Sequence, residues 1–221
     1  LDFGPGCMQT RSVMTEAAVL DEDCLTLNVW APAAPGPHPV MVFIHGGGFN
    51  TGASSNVIYD GTALADRHDL LLVTVNYRVG ALGFLHLKQV TDGRIPASGN
   101  EGLLDQIAAL EWVKQNIAVF GGDPDHVTVF GESAGAESIG ALLAMPKARG
   151  LFRQAILQSG ASKAQPLARA VSGAADYLRR LGLAGKDTAA LEALPAAALI
   201  AAQSAAPGAG PQRPSPPRAA V

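Results

Sequence analysis

Residues 129–137 read VFGESAGAE and place Ser133 at the centre of a Gly-x-Ser-x-Gly pentapeptide, Gly131 to Gly135. A serine framed by two glycines suits a nucleophile raised on a sharp strand-to-helix turn, where only small neighbours fit. The apolar run HVTVF precedes the pentapeptide and AGAESIGALL follows it. At such a junction the hydroxyl projects above the carboxyl edge of a sheet. The N–H of the next residue, Ala134, faces the same point from the positive end of a helix. A second stretch, HGGGF at 45–49, ends another apolar run. Three consecutive glycines let backbone N–H groups approach a ligand atom with no side chain in the way. That is what an oxyanion hole in acyl transfer requires, where one donor is worth about 10²–10³ in rate. Either motif alone is weak, because a chain with 25 glycines offers chance matches. Both together, in this order on an α/β pattern, point to acyl transfer through a serine.

A neutral serine hydroxyl is a poor nucleophile without an adjacent base. The five histidines, His38, His45, His68, His86 and His126, all precede Ser133. Each reads as a loop, turn or surface residue. Acids follow Ser133 at Glu137, Asp176, Asp187 and Glu192, but no histidine does. The α/β-hydrolase order is serine, then acid, then histidine. The expectation is that the base lies outside this chain, which reads as the N-terminal part of a longer enzyme.

The elements that must hold these residues alternate between strand and helix. LTLNVWAP (25–32), VMVFIH (40–45), LLLVTVN (70–76), HVTVFG (126–131) and QAILQS (154–159) read as strands, several apolar throughout as in a sheet buried on both faces. Helices are expected at 61–69, at 101–118 with Asn100 as N-cap, from 134 to about 145, and at 167–182. FGGDPD (120–125) reads as a break. The pattern predicts an α/β fold with a mainly parallel sheet over residues 1–205. Residues 206–221 carry five prolines and only positive charge, and are expected to be a disordered tail.

Composition closes off other classes. Of 221 residues 48% are hydrophobic and 16% charged, and the formal net charge is −3. No clustered Lys and Arg suggest a nucleic-acid partner. No apolar run reaches the roughly 18 residues of a membrane span. The chain begins at Leu1, with no signal segment visible. No metal or organic cofactor is implied. Cys7 and Cys24 fit either two small buried residues or a disulfide closing a short loop.

With these residues in hand, the chain resembles the type-B carboxylesterase/cholinesterase family of α/β-hydrolases. The matching text includes EDCLTLNVWAP, VMVFIHGGGFNTG, VNYRVGALGFL, GNEGLLDQIAALEWVKQNIAVFGGDPDHVTVFGESAGAESIGALL and GLFRQAILQSGA. The resemblance implies Ser133 as the acylated nucleophile of a carboxylic ester hydrolase, and Gly47, Gly48 and Ala134 as oxyanion donors. It implies that Glu132 lines the active-site gorge and that Cys7 pairs with Cys24. The disulfide in turn implies a secreted or periplasmic protein. Ser159 would lie near the family's histidine or serve a structural role, and Arg78 and Asp105 match structural positions. Family members are about twice as long and draw the triad acid and histidine from their second half. The expected partners are a small carboxylic ester and that missing C-terminal half, whose absence would expose an apolar sheet edge. Two further readings of the fold are a non-catalytic binding module, which the retained serine disfavours, and an inactive truncated product.

Overall fold

The computed structural model describes residues 3–12, 15, 18–161, 164–183 and 187–203. The segment 206–221, expected to be a disordered tail, lies outside the described residues.

Near the N-terminus two short strands, β1 (Gly6–Cys7) and β2 (Leu20–Asp21), pair in parallel beside a Cys7–Cys24 disulfide. Then come β3 (Leu27–Trp30), β4 (His38–Ile44), α1 (Thr62–His68), β5 (Leu71–Val75), α2 (Gly80–Phe84) and α3 (Glu101–Asn116). They are followed by β6 (Gly122–Glu132), α4 (Ala134–Ala144), β7 (Gln154–Gln158), α5 (Leu167–Arg180), α6 (Thr188–Glu192) and α7 (Ala196–Gln203). The main sheet has five strands in the order β3-β5-β4-β6-β7. Among the described strands of this sheet only β3 runs antiparallel to its neighbour. The α/β expectation from alternating patterns therefore holds.

Pleating divides the sheet's side chains between two layers. Val40, Val42 and Ile44 of β4 face Ile107, Leu110 and Val113 of α3 and Ile139 and Leu142 of α4, all essentially buried. Phe43 and the flanking Met41 face the other way, with Trp30, Leu72 and Ala65 of α1. Every residue of β5 is buried, which is why LLVTV carries no polar alternation. Full burial of each such aliphatic side chain stabilises by about 1.5–3 kcal/mol.

Three local readings change. Residues 117–120 leave α3 as a 3-10 turn closed by Gly121 at φ 85°. β6 then starts at Gly122, inside the stretch read as a break. The β4–β6 ladder is irregular between the His38–Gly122 and Val40–Val127 pairs, so Pro124 sits where no ladder donor is needed. Asn100 occupies the N-cap of α3 but makes no side-chain cap. Glu101 turns back on the loop ahead of the helix instead, accepting from Ser98 N at 2.7 Å and Gly99 N at 2.9 Å. Arg78 and Asp105, expected to be structural, form a two-pronged ion pair at 2.8 and 2.7 Å that ties the segment after β5 to α3. The edge strand β7 pairs only with β6 among the described strands and leaves Ile156 and Leu157 44% and 36% exposed.

The disulfide closes a loop with a sequence separation of 17. In the chain-entropy account, such a loop contributes about 3 kcal/mol. Urea unfolding of the Cys7→Ser/Cys24→Ser double variant is expected to show that loss. A loss below about 1 kcal/mol would mean that the noncovalent contacts hold this loop unaided.

Candidate active site

The site is set by one register. Ile44 at the end of β4 pairs with Gly131 near the end of β6, both strands running the same way. The glycine loop 46–48 and the turn at Ser133 therefore leave adjacent strands at the same carboxyl edge, where α/β sheets bind ligands. Close approach makes the glycines obligatory. A Cβ on Gly135 would lie 2.0 Å from Ile44 O, and one on Gly131 2.7 Å from the Gly135 carbonyl carbon.

Ser133 caps the N-terminus of α4 at φ 54°, ψ −119°. A non-glycine residue held there carries about 1–3 kcal/mol of strain. Two backbone bonds hold it, Ser133 N to Gln158 O and Glu137 N to Ser133 O, both 2.9 Å. Ser159, the residue after β7, is likewise at positive φ, 55°. The Ser133 hydroxyl makes no hydrogen bond with any described residue.

The structure brings the predicted residues to one place. A Cβ on Gly46 would stand 3.3 Å from Ser133 Cβ and 3.0 Å from Glu132 Oε2. Gly47 and Gly48 adopt φ 103° and 62°, and among the described residues no acceptor takes either N–H. The Ala134 N–H stands at the first position of α4, where a helix supplies no acceptor. Glu132 is exposed. Beneath it Tyr59 packs on Phe43 at 4.6 Å, and Phe43 on Phe130 at 4.9 Å. Burial, and then the Glu132 charge, push the Tyr59 hydroxyl's pKa up. Two concavities of about 250 and 350 Å³ lie elsewhere, one beside the disulfide and one beside α5, and neither includes Ser133.

The histidines correct the sequence reading. His38, His45 and His86 are buried rather than surface residues, although His45 and His86 do lie outside the strands and helices. His38 is held by Ala34 O at 2.9 Å and Asp69 at 3.1 Å, and His86 by Ser98 O at 2.6 Å and by Gln89. His45 lies beneath the glycine loop. Its ring stacks on Tyr77 at 4.3 Å, and Tyr77 Oη donates to His45 O at 2.7 Å. His45 Nδ1 sits 2.8 Å from Gly46 O, so in the neutral ring it donates there. Its Nε2 has no partner among the described residues. Burial pushes its pKa down to about 4, against the weaker pull of the Gly46 bond. A neutral, carbonyl-bound imidazole fixes the Gly46–Gly47 peptide and makes no hydrogen bond with Ser133. Asn76 joins the same layer: its Oδ1 accepts from Ser54 N at 2.8 Å, and its Nδ2 donates to Pro5 O and Cys24 O. Neither Tyr77 nor Asn76 carries a sequence signal, since a polar residue ending an apolar strand reads the same whether it is buried or not.

A mainly parallel sheet with a strained serine between strand and helix defines the α/β-hydrolase class. Comparison with known proteins narrows it. The carboxylesterase family profile matches residues 1–212, so the chain belongs to the type-B carboxylesterase/cholinesterase family. It is 51% identical over 82% of its length to the para-nitrobenzyl esterase of Bacillus subtilis (strain 168), and 55% identical over 64% of its length to the acetylcholinesterase of Electrophorus electricus. It spans 37% and 22% of those relatives' own lengths. Among solved structures, a thermophilic PNB esterase superposes with a TM-score of 0.87 at 48% identity, covering 91% of this chain and 42% of that one. A Geobacillus stearothermophilus carboxylesterase gives 0.85 at 45% identity, covering 95% and 44%.

Two outcomes follow from this geometry. Glycine at position 133 relieves the backbone strain and alanine does not, so Ser133→Gly is expected to be more stable than Ser133→Ala by about 1–2 kcal/mol. Equal urea midpoints would show that the elbow is unstrained. The second concerns pH. An unfolded His45 takes up a proton near 6.5, the folded one only near 4, so its contribution is complete above pH 6.5 and is lost as pH falls toward about 4. Across that window it amounts to about 3 kcal/mol. His45→Asn, which cannot titrate, should flatten the stability profile there; an unchanged slope would place its cause elsewhere.

Proposed function

We propose that the chain carries the nucleophile and oxyanion half of a carboxylic ester hydrolase. Ser133 attacks the ester carbonyl, and the alcohol leaves. The acyl-enzyme on Oγ is then hydrolysed by water. Gly47, Gly48 and Ala134 N–H groups stabilise the oxyanion of both tetrahedral intermediates, and Glu132 borders the substrate's approach. The observation that carries this reading is the strained Ser133 at the head of α4, beside a glycine loop in which the Gly47 and Gly48 N–H groups have no acceptor among the described residues. The esterases among the relatives support the substrate class. The attack also needs a general base. His45 is buried with its Nδ1 committed to Gly46 O, and Ser133 bonds no histidine. The base and its acid partner are therefore supplied by polypeptide outside these residues, and the chain alone is catalytically inert. The disulfide supports a secreted or periplasmic location.

A chimera tests this reading. This chain replaces the matching segment of the para-nitrobenzyl esterase of Bacillus subtilis, and hydrolysis of a p-nitrophenyl ester is measured. The chimera is expected to turn over and its Ser133→Ala variant to lose about 10⁶ in kcat, while the chain alone stays at the variant's background. Activity that survives Ser133→Ala in the chimera would remove Ser133 as nucleophile. Turnover by the chain alone, abolished by Ser133→Ala, would place the base within it.

A further inference from the structure

The loop that presents Gly47 and Gly48 must return to the fold somewhere, and its return point is Gly52. Inside the loop, Asn50 N and Thr51 N both donate to Gly47 O at 3.1 Å, and Asn50 Nδ2 donates to Gly48 O at 2.9 Å. At the outer end, Gly52 adopts φ 126° and presses on the His45 ring: a Cβ there would lie 2.3 Å from His45 Nδ1 and 2.8 Å from Gly46 O. Gly52 is buried, so its N–H and C=O both need partners. No strand supplies them. One side chain does, from 43 positions earlier: Gly52 N donates to Gln9 Oε1 at 2.7 Å, and Gln9 Nε2 donates to Gly52 O at 2.7 Å. The second amide hydrogen of Gln9 goes to Cys7 O at 2.9 Å. These three bonds fix which end of the amide is oxygen, since only one assignment satisfies all of them. Gln9 is 6% exposed, and its base is the Cys7–Cys24 disulfide.

We propose that Gln9 is a positioning residue for the oxyanion donors: its amide, anchored on the disulfide loop, pairs with Gly52 as a neighbouring strand would and holds the 46–52 loop over Ser133. The inference rests on reading Gly47 and Gly48 as the donors. Removing the amide leaves Gly52's two buried groups unpaired. The loop then opens to water, the His45–Gly46 contact loosens, and the Gly47 and Gly48 N–H groups lose their fixed aim. Ser133, held separately by Gln158 O, stays in place.

The test compares the full chain with its Gln9→Met variant, close in size to glutamine but unable to make the three bonds. Peptide-resolved hydrogen exchange is the first readout. Protection of residues 50–52 is expected to fall at least about tenfold, as for the loss of a buried hydrogen bond. Strands 71–75 and 127–131 should keep their protection, and mass should show the disulfide intact. Unchanged protection at 50–52 overturns the proposal. So does equal loss in the strands, because Gln9 would then serve global stability alone. The second readout is made in the chimera with the para-nitrobenzyl esterase of Bacillus subtilis, which supplies the general base: the rate at which a fluorophosphonate modifies Ser133, with Ser133→Ala as blank. It is expected to fall about tenfold or more in Gln9→Met, given the worth of a single oxyanion donor. An unchanged rate alongside a loosened loop overturns the link to the donors. If neither chimera reacts at Ser133, it is the nucleophile reading that fails, and exchange alone still decides whether Gln9 holds the loop.

Discussion

Everything at this site depends on how closely the first turn of α4 approaches the ends of β4 and β6. The Ile44–Gly131 pairing fixes the strands, and the glycines at 131 and 135 remove the only atoms that would keep the helix away. That proximity holds Ser133 in a conformation it would not choose and aims the positive end of α4 at the same edge as the glycine loop. Strain of about 1–3 kcal/mol is tolerable only because the surrounding apolar layers are worth many times more. The core is thus a condition of the chemistry as much as of stability.

Much of this was legible in the residues. β4, β5 and α3 could be read because long runs of one hydrophobic period leave few alternatives. Ser133 could be read because the pentapeptide lies between a strand pattern and a helix pattern. Other features could not. The start of β6 was hidden because Gly and Pro punctuate most sequences, yet an irregular ladder admits them. Asn100 heads α3 without a side-chain cap, while Glu101 ties down the N–H groups of Ser98 and Gly99 in the loop before it, an arrangement that only the loop's path decides. The burial of His38, His45 and His86, and the bonding of Gln9 and Asn76, are tertiary facts with no period to betray them.

Those hidden residues share a task. The apolar layers fix the sheet, but loops between strands carry backbone groups that apolar contacts cannot satisfy. Gln9, His45, Asn76 and Tyr77 form a polar stratum beneath the glycine loop, and each bonds main-chain atoms, Asn76 also the Thr26 hydroxyl. Neutrality suits the purpose. An amide, a phenol and an imidazole whose pKa lies near 4 carry no charge at neutral pH that would need solvent. A charged group in those positions would compete with the charge that develops at Ser133.

The strand order bears on synthesis as well. β4 lies at the centre of the sheet, but along the chain it is made second of the five. The crossover through α1 delivers β5 to one side of β4 soon after. Its other side waits for β6, which begins at Gly122, roughly eighty residues beyond Ile44. At ribosomal rates of about 5–20 residues per second, that is a gap of about 4–16 s. Throughout it, VMVFI presents an open, apolar edge to the cell. Such a segment would pair with any exposed strand it met, so the most secure strand of the finished molecule is the most vulnerable part of the nascent one.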